Sequence, residues 1–315
     1  MRRGREGAEA LMFVNDPAEF LAAFSAERFP ARAAATARAA FLVSPAAAAL
    51  AAESATDNRY MDLAQTLDAQ RAAHQHAALA RALGDDVPVI TFPGDPAAPD
   101  GLFPNNVFAT AAGRLIVGRM RHRVRQREAE RADIRGFFRD VLNYRVVDLS
   151  QSPFVAELTG SLVIDRARGI GYCGLSERCD PAGARAMHEA FGLRLTFCFD
   201  LAPGEYHTNV VFALLGGRVA ILAADGFRDP AVPAAIARAY GGRAIALSVA
   251  QKQAFAGNAI ALTPTRAWLS TQAVAALEPA QRVAIERYGF ALADVELDEI
   301  EKAGGSLRCC VAEIF

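Results

Sequence analysis

Short apolar blocks separated by turn residues recur along most of the chain. Blocks of this length, closed by Gly, Pro, Asn or Asp, predict short strands. Strands are expected over 41–43, 87–92, 107–110, 115–117, 145–149, 161–165, 170–173, 195–199, 209–215, 218–223, 244–248, 259–262, 268–270 and 305–315. Helical spacing and start or stop signals predict helices over 17–27, 68–83, 125–141, 181–191, 230–240 and 279–288. Gly113, the run Ala167-Arg168-Gly169 and the pair Gly216-Gly217 read as hairpin turns. The recurring unit is therefore hairpin, helix, strand. It appears over about 107–149, 161–199, 209–248 and 259–297, with a fifth copy split between the two ends. A doubly wound sheet would instead alternate single strands and helices.

Residues 1–38 stand apart. They are rich in Ala, Arg and Glu, and the helix over 17–27 is closed by Pro30. They read as an N-terminal helical extension, either a surface helix with disordered flanks or a regulatory or oligomer arm. Residues 39–315 read as one domain.

The chain has 315 residues, with 34 Lys and Arg against 35 Asp and Glu, for a formal net charge of -1. That balance argues against binding nucleic acid through bulk charge. No apolar run is long enough for a spanning helix, and no secretory signal is evident. The expectation is a cytoplasmic protein with no membrane or nucleic-acid partner. The five cysteines, Cys173, Cys179, Cys198, Cys309 and Cys310, form no CxxC pair, so neither a metal site nor a disulfide framework is expected. No cofactor is called for. A homo-oligomer is left open.

Several segments hold residues able to do chemistry. Gly304-Gly305-Ser306-Leu307-Arg308-Cys309-Cys310 places a thiol beside a cation and two glycines. Taken alone, such a cysteine is also a small core residue. His207 precedes an apolar strand and is free to act as a general acid or base, or is a surface histidine. Glu157, just before another strand, is placed to orient a histidine, or is a loop acid. Asn105-Asn106 is a turn pair. The arginines at 119, 121, 123, 125, 127 and 131 suit a carboxylate clamp, a nucleic-acid patch or a solvated helix face.

Taken in order, these segments resemble the guanidine-modifying, or pentein, superfamily of arginine deiminases, dimethylarginine hydrolases and amidinotransferases. The resemblance is closest to the citrulline-utilisation hydrolase and arginine dihydrolase group, and it covers about residues 39–315. It rests on Phe103-Pro104-Asn105-Asn106, Leu162-Val163-Ile164-Asp165, Leu175-Ser176-Glu177-Arg178, Tyr206-His207-Thr208-Asn209-Val210, Phe255-Ala256-Gly257-Asn258, Arg308-Cys309 and Ala312-Glu313-Ile314-Phe315. It implies an α/β fold, a five-bladed propeller of pseudo-repeated hairpin–helix–strand units. It also implies Cys309 as nucleophile, His207 as general acid/base and Glu157 as its partner carboxylate. Asn106 falls where deiminases carry an Asp for the guanidinium. Asn58 and Asn258 match substrate-contacting positions, and Arg127 and Arg178 match arginines that hold the substrate carboxylate. Three positions depart from the family pattern: Arg308 stands where many deiminases have His, Leu158-Thr159 where Gly-Gly follows the Glu, and Val107 where the citrulline-utilisation group has Trp.

The implied activity is cysteine-dependent hydrolysis of a guanidino or ureido C–N bond in a small amino acid. Asn106 offers no charge to a guanidinium, which suits citrulline, or arginine taken in two steps to ornithine, ammonia and carbon dioxide. The alternatives are an amidinotransferase and a deiminase of a substituted arginine. A third class, relatives without the cysteine that only bind ribosomes, fits poorly with Cys309, His207 and Glu157 all present.

Overall fold

The structure, a computed structural model, describes residues 12–24, 29–46 and 50–315. Among these residues the strands form five sheets of mixed α/β character. Each sheet contains an antiparallel pair whose second member is joined in parallel by a third strand. The first sheet comprises Phe108–Ala111, Arg114–Val117 and Arg145–Asp148. The second comprises Leu162–Asp165, Ile170–Leu175 and Leu195–Asp200. The third comprises Phe212–Leu215, Val219–Leu222 and Ala244–Ala246. The fourth comprises Ile260–Thr263, Arg266–Ser270 and Ala291–Val295. The fifth is closed by the two ends of the chain: Ala312–Ile314 pairs with Ala39–Val43, which pairs with Val89–Phe92.

Local chemistry explains the pieces. Gly216 and Gly217 both have positive φ, 52° and 65°, in the turn joining Phe212–Leu215 to Val219–Leu222. Such a turn matches the twist of its flanking strands, and glycine takes it without strain. The crossover helix Pro181–Phe191 starts from Asp180, whose side chain accepts from the Gly183 amide, and ends at Gly192 in the left-handed region. Its Ala184 and Met187 are buried under the sheet.

Three expected elements come out differently. The predicted helix over 125–141 is broken into Arg123–Gln126, a tight turn at Arg127–Glu130, Ala132–Gly136 and a wider turn at Phe137–Val141. Arg131, at φ -58° and ψ 95°, leaves the helical region and donates to the Pro93 carbonyl. The strand expected over 305–315 is a helical turn, Leu307–Cys310, followed by the short strand Ala312–Ile314. The block over 209–215 likewise divides into Thr208–Val211 and Phe212–Leu215. An apolar run marks burial and does not by itself distinguish a buried turn from a buried strand.

Near the N-terminus, Met12–Val14 adds a parallel strand to Leu195–Asp200. The helix Pro17–Ala23 is shorter than the predicted 17–27, and residues 25–28 of that prediction lie outside the described ones. Its N-cap is Asp16, whose carboxylate accepts from the Ala18 and Glu19 amides. Phe20 is fully buried and stacked on Phe197 at 4.5 Å. No helix among the described residues is long and apolar enough to cross a membrane.

Candidate active site

Each sheet's first strand is preceded by a tight turn, and the five turns meet. Asn106 ends the turn Pro104–Asn106, Glu157 precedes Leu158–Ser161, and His207 precedes Thr208–Val211. Asn258 closes the turn before Ile260–Thr263, and Cys309 lies within Leu307–Cys310. These five residues are spaced 50 or 51 positions apart along the chain. The period places one polar side chain from each unit at the same level, and hydrogen bonds between turns lock them together. Thr159 donates to the Asn105 carbonyl at 3.0 Å, and the Asn258 amide donates to the Asn209 carbonyl at 2.8 Å.

His207 and Glu157 are fully buried, with Nε2 of the ring 2.8 Å from Oε2 of the carboxylate. Burial raises the cost of ionising Glu157, but the Arg178 guanidinium and the His207 contact outweigh it, so the carboxyl stays well below its usual range. Burial lowers the His207 pKa despite the Glu157 charge. The ring is therefore neutral, its Nε2–H donating to the carboxylate, and Nδ1 has no hydrogen-bond partner. Asn106 Oδ1 is likewise buried and unpartnered, as are both amide atoms of Asn105. A methyl group at Gly160 would lie 2.6 Å from Asn106 Oδ1 and 2.7 Å from the His207 ring. The absence of a side chain at Gly160 thus lets the free acceptor of Asn106 and the free nitrogen of His207 share one small space.

Cys309 is buried, and burial pushes its thiol pKa up. Hydrogen bonds oppose that rise. Asn258 Nδ2 donates to Sγ at 3.3 Å, and Asn209 Nδ2 lies at 3.8 Å. Asn258 Oδ1 accepts from the Cys309 amide at 3.3 Å, which fixes the turn as well as the sulfur. Asn258 is thus brought to the group, holding the thiol.

A cavity of about 270 Å³ opens beside the sulfur, lined by Asn58, Asp100, Asn106, Arg125, Arg178 and Cys309 among others. Asn58 donates to the Gly304 carbonyl at 3.2 Å, and Tyr206 donates to the same oxygen at 2.5 Å. Arg178 reaches the cavity wall, but its donors are taken by protein: Asp57 at 2.6 Å, Glu157 at 3.2 Å and the Ser54 carbonyl at 3.1 Å. It braces the carboxylate behind His207, so it has little left to offer a substrate carboxylate. Arg127 is not brought to the group. It is exposed and borders a separate depression with Asp95 and Arg131. Arg125, two residues earlier, is the arginine that turns inward, paired with Glu128 at 2.9 Å and bonded to the Phe103 carbonyl at 3.2 Å. Charge density alone carries no phase, so the arginine run could not show which member faces in.

Asp100, Arg125, Asp57 and Asn209 were not singled out from the sequence. Asp100 is buried and accepts from the Ser54 hydroxyl, and burial raises its carboxyl pKa. None of these four falls on the period of 50 or 51 that links Asn106, Glu157, His207, Asn258 and Cys309, so no spacing signal marks them. Among the described residues no cluster of His, Cys, Asp and Glu is arranged to hold a metal ion.

The chain also matches known proteins in sequence and in fold. Residues 44–315 match the family model of N,N dimethylarginine dimethylhydrolase, eukaryotic. No functionally curated protein sequence matches the chain. Among solved structures, the N-terminal domain of ArgZ, a cyanobacterial arginine dihydrolase of the ornithine-ammonia cycle, was determined as a mutant bound to substrate. It is similar at 17% identity and a TM-score of 0.76, covering 88% of this chain and 97% of that domain. AgrE in complex with ornithine and NAD+ is similar at 18% identity and a TM-score of 0.75, covering 88% of this chain and 39% of that one. A dimethylarginine dimethylaminohydrolase adduct with S-methyl-L-thiocitrulline is similar at 21% identity and a TM-score of 0.69, covering 88% and 99%.

Proposed function

Since the chain belongs to the N,N-dimethylarginine dimethylhydrolase family, within the guanidine-modifying (pentein) superfamily, we propose that it hydrolyses the guanidino or ureido C–N bond of an arginine-derived amino acid through Cys309. One observation carries the reading. Buried His207 is held by an ionised Glu157 through one nitrogen, and its other nitrogen is unpartnered beside the unpartnered Asn106 amide oxygen.

The guanidino carbon is a poor electrophile, and thiolate attack divides the displacement into two easier steps. Cys309 gives up its proton to His207, and its sulfur bonds to the guanidino carbon. His207 returns that proton to the leaving nitrogen as the C–N bond breaks and ammonia departs. Water, deprotonated by the same ring, then displaces sulfur and leaves citrulline. A second cycle on the ureido carbon gives ornithine, ammonia and carbon dioxide. The net reaction consumes two waters per arginine and needs no redox partner.

Asn106 favours the second cycle. A carboxylate in its place would grip the cationic guanidinium, whereas an amide presents a neutral acceptor and donor suited to a ureido group. Asp100 and Arg125, both lining the cavity, are the residues we assign to the ammonium and carboxylate of the amino acid. The cavity suits a single small molecule, with no nucleic-acid partner. The five sheets read as five blades of a propeller, because neighbouring first strands pack together: Leu162–Asp165 on Phe212–Leu215, that strand on Ile260–Thr263, and Ala312–Ile314 on Phe108–Ala111. The five cysteines are free thiols, which suits a reducing compartment such as the cytoplasm.

The test is to incubate the protein with arginine, citrulline, dimethylarginine and an arginine–amine pair, and to identify products by mass spectrometry. Ornithine from citrulline is the expected result. Citrulline accumulating from arginine or dimethylarginine would make the protein a deiminase or dimethylarginine hydrolase and overturn the reading of Asn106. A new guanidino product would make it an amidinotransferase.

A further inference from the structure

A second, partly open cavity runs along the first strands and reaches the turns that carry Thr159, Asn209 and Arg308. Val163, Ile164, Phe212, Leu214 and Ile260 line one part of it, polar groups present the larger share of its open surface, and Ala35 of the N-terminal segment also borders it. Its charged groups are Arg166, Arg308 and Glu313. Arg308 is accounted for: it pairs with Glu313 at 3.0 Å and donates to the Val311 carbonyl at 2.7 Å. Arg166 is not. Its hydrogen bond goes to the Thr110 carbonyl at 2.9 Å, and no carboxylate among the described residues forms an ion pair with it. The guanidinium lies 4.2 Å from the centre of the Phe315 ring and 5.3 Å from that of Phe191. Burial pushes its pKa down to about 10, against the pull of Glu313 and with the repulsion of Arg308.

The cavity therefore holds two cations against one anion. A monoanion would complete the balance, and pairing a half-buried cation offsets the cost of its lost hydration. A guanidinium fork fits a carboxylate in two parallel hydrogen bonds. The apolar side chains on one wall have no role in holding a bare halide. We propose that this cavity is a second ligand site, which takes a small organic monocarboxylate on Arg166 with its apolar tail along Val163, Phe212 and Ile260. The inner end of the cavity is bordered by Asn209, whose amide faces Cys309 Sγ at 3.8 Å from the other side.

Calorimetric titration of the full chain with butyrate tests this, with acetate, chloride and phosphate as separate arms. Butyrate is expected to bind at one site, more tightly than acetate and far more tightly than either inorganic ion. Arg166→Met should weaken butyrate about tenfold or more, the loss of a charge-assisted pair. Arg166→Lys, which keeps the charge without the fork, should fall between the two and serves if the Met variant fails to fold. A crystal grown with butyrate should show it against Arg166. Equal affinity in wild type and a folded Arg166 variant would overturn the proposal, as would chloride or phosphate binding as tightly as butyrate. So would butyrate found only beside Arg125 in the other cavity. None of these readouts depends on turnover, so a failure here is separate from a failure of the proposed hydrolysis.

Discussion

At the residue scale, the account turns on how burial distributes protons. Burial alone would protonate Glu157 and Cys309 and deprotonate His207. Arg178 reverses the first effect, which leaves an ionised carboxylate to orient a neutral ring. Glu157→Gln keeps the shape and removes the charge. It should lower kcat by about 10²–10⁴-fold, with a smaller change in KM, by steady-state kinetics. For Cys309, the Asn258 hydrogen bond favours the thiolate. Removing it in Asn258→Ala should raise the thiol pKa, so the midpoint of Cys309 alkylation by iodoacetamide, followed against pH, should move to higher pH. Asn209→Ala should move it less, because that amide sits farther from the sulfur. A midpoint that stays put or falls in Asn258→Ala would remove the assigned role. Asn106→Asp should turn arginine consumption toward citrulline release, read as the ornithine-to-citrulline ratio.

At the element scale, the turns matter more than the strands they precede. The absent side chain at Gly160 leaves the space between Asn106 and His207. Gly160→Ala should therefore cost at least about tenfold in kcat/KM while the fold survives, checked by circular dichroism. The turn carrying Cys309 is tied down by Glu301, which accepts from the Ser306 hydroxyl at 2.6 Å and has its second oxygen buried without a partner. Burial raises the Glu301 pKa to about 7, against the Ser306 hydrogen bond. The stability this proton provides is complete below the unfolded carboxyl value and is lost as pH rises through about 7. Glu301→Gln should match wild type near pH 4.5 and exceed it by up to about 3 kcal/mol at pH 8, by denaturant titration. Legibility in the sequence divides along the same line. Cys309, His207 and Glu157 were nameable as reactive residues beside apolar blocks, and Asn106, Asn58 and Asn258 only through the family resemblance of the segments that hold them. The helical turns at 208–211 and 307–310 were not, because a buried turn and a buried strand share one apolar pattern. Arg125 was not separable from Arg127, because Glu128 and the carbonyl of Phe103 decide which one turns inward, and the latter is distant in sequence.

At the scale of the whole molecule, the two ends of the chain complete the body. Ala312–Ile314 pairs with Ala39–Val43, and the helix Pro17–Ala23 seals the sheet through Phe20. Phe20→Ala removes a fully buried ring stacked on Phe197. It should cost about 3–5 kcal/mol in denaturant titration without changing which products form. The repeat of hairpin, helix and strand was legible because three units carry their own turn glycines, at Gly113, Gly169 and Gly216-Gly217, and a crossover follows each hairpin. Closure of the fifth sheet by the two ends was anticipated from rhythm alone, and the pairing of residues 312–314 with 39–41 supplies its register.

The most direct test of the central claim is covalent. The protein is mixed with arginine, quenched in acid at short times and digested, and the Cys309 peptide is weighed. The account predicts an adduct equal to arginine minus ammonia on Cys309, rising and decaying with turnover and absent in Cys309→Ser. Turnover with no adduct at any time, or a Cys309→Ser variant that still releases ammonia at the wild-type rate, would contradict it.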